Sequence, residues 1–326
     1  LGLEPIPAFT LGAILGGTSS AVVIPLVKQL KLQESARTIL VLESALSDVL
    51  CIVFVLALIQ AYSADGIRVG AIIGSIISSF TLAALLGIVS ALLWSVLLAK
   101  IRTIKNSMFT TPAFVFVIYG IAEVLGFSGA IAALAFGVTL ANIDRFRFKT
   151  IQRLVNRGMN TFNDSEKQFF SEIVFLLKTF FFVFIGISIQ FTNGWALLFG
   201  FFITIVIYIL RIPVVKFSIY EALPTIDLTI MSTMAPKGLA AAVLASLPLQ
   251  YGLPSGEMIR DLTYAVILTS IVLTSILIPV LEKVPAVSAF YGAIIRKGRR
   301  IKTHPRPALD ETPKSNQLTE TEEGEN

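Results

Sequence analysis

Asp48 stands in the run Leu46-Ser47-Asp48-Val49-Leu50-Cys51-Ile52-Val53, a carboxylate with apolar residues on both sides. If that run crosses a bilayer, an ionised side chain there costs at least about 2.5 kcal/mol on insertion scales, so it needs a partner or a task. A span that starts near residue 38 and climbs about 1.5 Å per residue puts Glu43 about 8 Å deep and Asp48 about 15 Å deep, at the midplane. Lys237, on a later span rising from the same side near residue 228, comes to about 14 Å. Arg211 sits late in a descending span, about 25 Å from its outer edge and close to the level of Glu43. Ser44, Ser47, Asp48 and Cys51 repeat at i, i+3, i+4 and i+7 and share one stripe, whereas Glu43 lies about 140° round the helix from Asp48. The two carboxylates are therefore expected to do different work, Glu43 held ionised by Arg211 and Asp48 facing an aqueous cavity and titrating.

Two spans also carry residues that interrupt helices. The first contains Gly16, Gly17, Thr18, Ser19 and Ser20, then Pro25; the eighth contains Ser232, Thr233, Pro236, Lys237 and Gly238, then Pro248. Adjacent glycines and hydroxyls weaken the backbone ladder, and a proline frees carbonyls that only a cavity or neighbouring helices can satisfy. One such span runs inward and the other outward, as an inverted repeat requires, and paired interruptions of this kind point to a midplane transport site. Thr18, Ser19, Ser44 and Ser47 offer hydroxyl oxygens near one carboxylate, a ligand set for a hard monovalent cation such as Na⁺, Li⁺ or K⁺. The half-helix ends present partial charges of both signs, which Asp48 and Lys237 could neutralise. Burial favours the protonated form of a carboxyl group, so a proton and a metal cation compete for the Asp48 oxygens, and exchange follows if only loaded states cross.

The elements that must hold these residues follow from composition. The chain is 55% hydrophobic and 14% charged, with a mean hydropathy of +0.81, too apolar for a single water-facing core. Crossing a bilayer takes about 20 apolar residues, and roughly nine such stretches recur. They run over 5–27, 38–61, 69–98, 108–125, 127–142, 170–190, 194–219, 228–249 and 261–281. The predicted fold is an all-α, polytopic transmembrane helical bundle with two antiparallel interrupted helices crossing near the midplane. The third stretch exceeds what a bilayer needs and is expected to tilt or extend into water, and the fourth and fifth share a tight turn from Gly126 to Gly129. Residues 1–287 read as one transmembrane transport domain. Residues 288–326, basic from Arg296 to Arg306 and then acidic, read as a disordered tail.

Basic residues divide unequally between the two sets of loops. Lys28, Lys31, Arg37, Lys100, Arg102, Lys105, those between 145 and 167 and those of the tail fall on one face, against Arg68 and Arg260 on the other. The positive-inside rule makes the crowded face cytoplasmic, so the first span enters from outside a cell membrane and the tail ends inside. The net charge of +5 is then a signal of topology rather than of nucleic-acid binding. The basic stretch after the last span either binds anionic lipid or only reinforces orientation. Cys51 is the sole cysteine and His304 the sole histidine, which excludes a disulfide framework and a cysteine metal cluster within one chain. No phosphate loop or nucleophile–base arrangement argues for an enzyme, no cofactor is expected, and the first residues do not read as a signal peptide.

The stretch Leu42-Glu43-Ser44-Ala45-Leu46-Ser47-Asp48 resembles the Glu-Ser-x-x-Asn-Asp helix of the monovalent cation:proton antiporter superfamily, in particular the sodium/hydrogen exchanger family and its NhaP-like branch. Phe181-Phe182-Val183-Phe184-Ile185-Gly186-Ile187-Ser188-Ile189 is similar to that family's Phe-Phe-x-x-x-Gly-x-x-Ile helix. Lys237-Gly238-Leu239 falls where the family has a basic residue followed by glycine in its second broken helix. The resemblance covers about residues 5 to 281. It implies an antiporter fold of inverted repeats and a homodimer, with Asp48 as the ion-binding carboxylate, Glu43 and Ser44 at its site, and Arg211 as the partner of the site glutamate. Two departures matter. Thr18-Ser19-Ser20 stands where the NhaP pattern has Thr-Asp-Pro, and Ser47-Asp48 stands where the family has Asn-Asp or Asp-Asp. With one titrating acid, one proton per monovalent cation is the simpler stoichiometry, although Lys237 could carry a second charge. Members of the superfamily begin with further helices, so the resemblance implies an N-terminally truncated member.

The expected function is exchange of Na⁺ or Li⁺ for protons by alternating access. A potassium:proton exchanger or a cation-coupled symporter uses the same architecture, and a cation channel or ion sensor would bind in the same cavity without exchanging. Plainer roles stand beside the chemical ones. Buried pairs made by Asp48, Lys237, Glu43 or Arg211 can simply lock helices together. Lys178 can reach the interface along its own stem, and Glu123, Asp227, Glu221 and Asp261 sit where capping or interfacial charges belong.

Overall fold

A computed structural model describes residues 2–63, 69–101, 109–143, 164–188, 194–219 and 223–296, and among them every regular element is helical. The first span is two helices, Pro5–Gly16 (α1) and Ser20–Gln29 (α2). Gly17 (φ −75, ψ 161) and Ser19 (φ −63, ψ 109) are extended and separate them. Glu34–Ser63 (α3), Val69–Ile101 (α4), Thr110–Val124 (α5), Gly129–Ala141 (α6), Asp164–Ser188 (α7) and Gly194–Ser218 (α8) follow. Thr225–Thr233 (α9) and Leu239–Gln250 (α10) form the second broken helix, then come Gly256–Lys283 (α11) and Pro285–Arg296 (α12). Among the described residues, six units are long and apolar enough to cross a membrane: α1 with α2, α3, α4, α7, α8 and α11; α5, α6, α10 and α12 are shorter apolar helices. The 33 residues of α4 make a rod about 50 Å long, well beyond a hydrocarbon core of about 30 Å.

Between α5 and α6 the chain reverses at Gly126, whose φ of +78 suits glycine. Ser128 caps α6 by accepting from the Ile131 amide, and Glu123 Oε1 accepts from the Gly129 amide at 2.8 Å. Glu123 is therefore a capping charge.

Two buried clusters show how the broken helices cross. Leu11, Ile14 and Leu15 of α1 pack with Cys51, Val55 and Ile59 of α3, Ala241, Ala242 and Leu244 of α10, and Ile259, Leu262 and Val266 of α11. Val23 and Val27 of α2 pack instead with Leu40 of α3, Val215 of α8, Leu228, Ile230 and Met231 of α9, and Ile278 of α11. The first half of each broken helix thus meets the second half of the other, which is the antiparallel crossing. On α3, Leu40 belongs to one cluster and Cys51 to the other, so Asp48 lies at the level between them. Arg211 lies at a comparable boundary on α8, between Ile207 and Val215. A third cluster joins α4, α5 and α6 to Val49 and Val53 of α3. Side chains such as Phe116, Phe175, Ile187 and Phe202 point outward, where lipid rather than water would surround them.

Helical structure continues past Val287. In α12, Ile295 is fully buried, and Gly292 approaches Thr225 of α9 so closely that a Cβ would press on the threonine methyl. The shift in composition near Val287 thus falls inside a packed amphipathic helix, because one apolar face was enough to hold it. The tail beyond Arg296, His304 and most of the basic loop residues used for orientation lie outside the described residues.

A candidate ion site where two broken helices cross

Three consecutive backbone amides of the first interruption have no helical acceptor, and all three find partners on other elements. The Thr18 amide donates to Ser47 Oγ at 3.0 Å, the Ser19 amide to the Pro236 carbonyl at 2.8 Å, and the Ser20 amide to Asp48 Oδ2 at 3.3 Å. The Ser20 hydroxyl adds a second bond to Asp48 Oδ2, 2.7 Å long. The carboxylate is therefore seated on the first turn of α2, where amides and the helix dipole favour negative charge. Among the described residues both bonds fall on Oδ2, and Oδ1 accepts none. Gly17 is needed here for space: a Cβ would sit 2.8 Å from Cys51 Sγ and 3.3 Å from the Ser47 carbonyl.

The carbonyl ends of both first halves receive cations. Lys237, only 3% exposed, donates from Nζ to the Gly17 carbonyl at 2.6 Å, at the end of α1. Arg211 Nε donates to the Met231 carbonyl in the last turn of α9 at 3.2 Å. Its guanidinium also forms a two-pronged pair with Glu43, Nη1 to Oε1 and Nη2 to Oε2. The amide end of α10 has no side-chain cap, and a Cβ at Gly238 would collide with the Ser19 hydroxyl, which is buried with no hydrogen-bond partner among the described residues. The φ of −164 at Gly238 is ordinary extended backbone, so close approach rather than conformation calls for glycine.

The predicted residues come together with three differences. Lys237 and Asp48 both reach the crossing but make no direct pair, because the nearer need of Lys237 is the orphan carbonyl of Gly17. A cavity of about 800 Å³ opens between α1, α3 and α8, lined by Thr18, Glu43, Arg211 and Lys237 among apolar residues. Glu43 lies on its wall and Asp48 does not, since Ser20 draws the Asp48 carboxylate onto α2. The hydroxyls of Ser44 and Ser47 donate to the Val41 and Ser44 carbonyls; Ser47 Oγ also accepts the Thr18 amide, so among the described residues Ser44 Oγ keeps both lone pairs and Ser47 Oγ one. Asp227, read as an interfacial charge, is 1% exposed and accepts the Gln33 amide at 3.0 Å, tying α9 to the turn before α3. Sequence reasoning did not single out Ser20, although a hydroxyl at the first position of a half-helix opposite a buried acid was a usable signal. It also passed over Ser270, which accepts the Lys237 amide at 3.0 Å; one hydroxyl among several on α11 carried no signal. Among the described residues no group of three or more acidic, histidine or cysteine side chains could hold a metal ion.

Two interrupted helices crossing inside an all-helical, multi-pass bundle are the architecture of a secondary membrane transporter. The chain belongs to the sodium/hydrogen exchanger family: the family's transmembrane model, described as "Sodium/hydrogen exchanger, transmembrane", matches residues 1–283. Its general activity is accordingly antiport of a cation against protons.

Proposed function

We propose that this antiporter exchanges Na⁺ or Li⁺ for protons by alternating access, with the two ions taking turns on Asp48. The observation that carries this reading is the half-satisfied carboxylate: Oδ2 is held by Ser20, while among the described residues Oδ1 accepts no hydrogen bond. A proton or a desolvated cation can complete it, but one excludes the other. Hydroxyl and carbonyl oxygens of Thr18, Ser19, Ser44 and Ser47 supply further hard ligands of the kind that suit Na⁺ and Li⁺. Glu43 with Arg211, and Lys237, compensate charge and hold the half-helices, leaving one acid to titrate and one proton per cation as the simplest stoichiometry. The distribution of basic residues supports a cell-membrane protein with its C-terminal tail in the cytoplasm, and the family resemblance supports a homodimer.

Proteoliposomes with an entrapped pH dye test the reading. External Na⁺ or Li⁺ should drive proton movement that saturates, and lowering pH should raise the apparent KM for the cation, because protons occupy the same carboxylate. Asp48→Asn should abolish exchange in a protein that still purifies as folded. Undiminished exchange in that variant refutes the assignment, and a response to K⁺ alone makes the protein a potassium:proton exchanger.

A further inference from the structure

A second buried polar network joins α8, α11 and the second interruption. Thr204 of α8 and Thr269 of α11 share a hydroxyl–hydroxyl bond of 2.6 Å. One turn further along, the hydroxyls of Tyr208 and Thr274 are paired, and both lie within reach of the Ser270 carbonyl, at 3.0 and 2.7 Å. Ser270 Oγ in turn accepts the backbone amide of Lys237 and donates to the Ile267 carbonyl at 3.1 Å. Ser270 and Thr274 are almost wholly inaccessible, at 1% and 0% exposure. Hydroxyl side chains commonly bond across packed helices in lipid, but the bond from the Lys237 amide to Ser270 needs a further reason.

The reason lies in what the Lys237 amide would otherwise face. It belongs to the interruption, has no helical acceptor, and is buried, so removing Ser270 Oγ would leave it orphaned. The Lys237 side chain starts from this anchored backbone and ends on the Gly17 carbonyl of the other broken helix. Where the anchor sits therefore decides where the ammonium reaches. Tyr208 and Arg211 are three residues apart on α8 and hold opposite lips of the same gap, Arg211 through Met231 and Tyr208 through Ser270. Resting on the reading of the crossing as the transport site, we propose that Ser270, braced by Tyr208, is a positioning residue for exchange. Its hydroxyl fixes the Lys237 backbone so that the ammonium closes the end of α1 beside the Asp48 carboxylate.

The test uses the full chain reconstituted in lipid, with a membrane-permeant amine-reactive ester as probe and peptide mass spectrometry as readout. Lys178 on α7 serves as the internal reference. Ser270→Ala should raise labelling of Lys237 relative to Lys178 about fivefold, and slow exchange by a similar factor, the effect of losing one buried hydrogen bond. Ser270→Thr, which keeps an acceptor oxygen, should return both to within about twofold of the native protein, and Tyr208→Phe should act in the same direction as Ser270→Ala but less. An unchanged labelling ratio in Ser270→Ala overturns the proposal. So does an equal rise at both lysines, which signals general loosening, or a ratio that stays high in Ser270→Thr. The labelling does not depend on which group binds the ion. A raised ratio combined with undiminished exchange in Asp48→Asn would keep the positioning role and refute only the assignment of the ion to Asp48.

Discussion

Lys237 Nζ reaches the carbonyl oxygen of Gly17 at 2.6 Å, joining two residues 220 positions apart in the chain. The bond sets the Lys237 amino group at the negative end of α1, while the Asp48 carboxyl group sits at the positive end of α2. Acid and base therefore act on the two sides of one interruption and need not touch each other. Asp48 is tied to the backbone of α2 by the Ser20 amide, and α2 to the second broken helix by the bond from Ser19 to Pro236.

Ser20 should tune the site without being indispensable. Ser20→Ala removes the 2.7 Å hydroxyl bond to Asp48 and leaves the amide bond, so the initial rate of exchange should fall about fivefold rather than vanish. Side-by-side traces of Ser20→Ala and Asp48→Asn in the same lipid check this; equal loss in both would mean that the hydroxyl itself carries the ion.

Gly17 is predicted to be replaceable once its neighbour is trimmed. Its φ of −75 suits alanine, and the obstacle is Cys51 Sγ, 2.8 Å from the added carbon. Gly17→Ala should cost about 1–3 kcal/mol through overpacking, read as a lowered melting temperature in detergent. Gly17→Ala with Cys51→Ala should recover most of it.

The Glu43–Arg211 pair should prove chiefly structural. Arg211 is 10% exposed and Glu43 34% exposed, so the water-facing side of the pair weakens its energy below the full 3–5 kcal/mol of a deeply buried one; Glu43→Gln should destabilise by about 2 kcal/mol. A double-mutant cycle with Arg211→Met should show coupling above about 0.5 kcal/mol, measured by thermal unfolding. Additive effects would show that the two prongs contribute nothing jointly.

Glu123 should matter to the α5–α6 turn alone. Glu123→Gln replaces a charged acceptor of the Gly129 amide with a neutral one, at a cost of about 0.5–1 kcal/mol. Exchange should stay within about twofold of the native rate, because among the described residues the hydrogen bond of this cap goes to Gly129 of the α5–α6 turn and not to a residue of the crossing. A larger loss of transport at unchanged stability would give the turn a part in the cycle.

Much of this architecture was legible in one dimension. Apolar stretches of bilayer length announce a membrane bundle because lipid admits little else, and Gly16-Gly17 and Pro236 mark the two gaps because glycine and proline cannot sustain the backbone ladder. The spacing of Ser44, Ser47, Asp48 and Cys51 set one face of α3 by helical geometry alone. What spacing could not decide was which of several equivalent groups each orphan would choose. Ser20 rather than Ser19 bonds Asp48, Lys237 serves a carbonyl rather than the acid, Asp227 is buried, and Ser270 holds the second gap. Those choices depend on how α1–α2 and α9–α10 cross against α3, α8 and α11, since hydrogen bonds of about 3 Å discriminate between neighbours that a sequence pattern leaves equivalent.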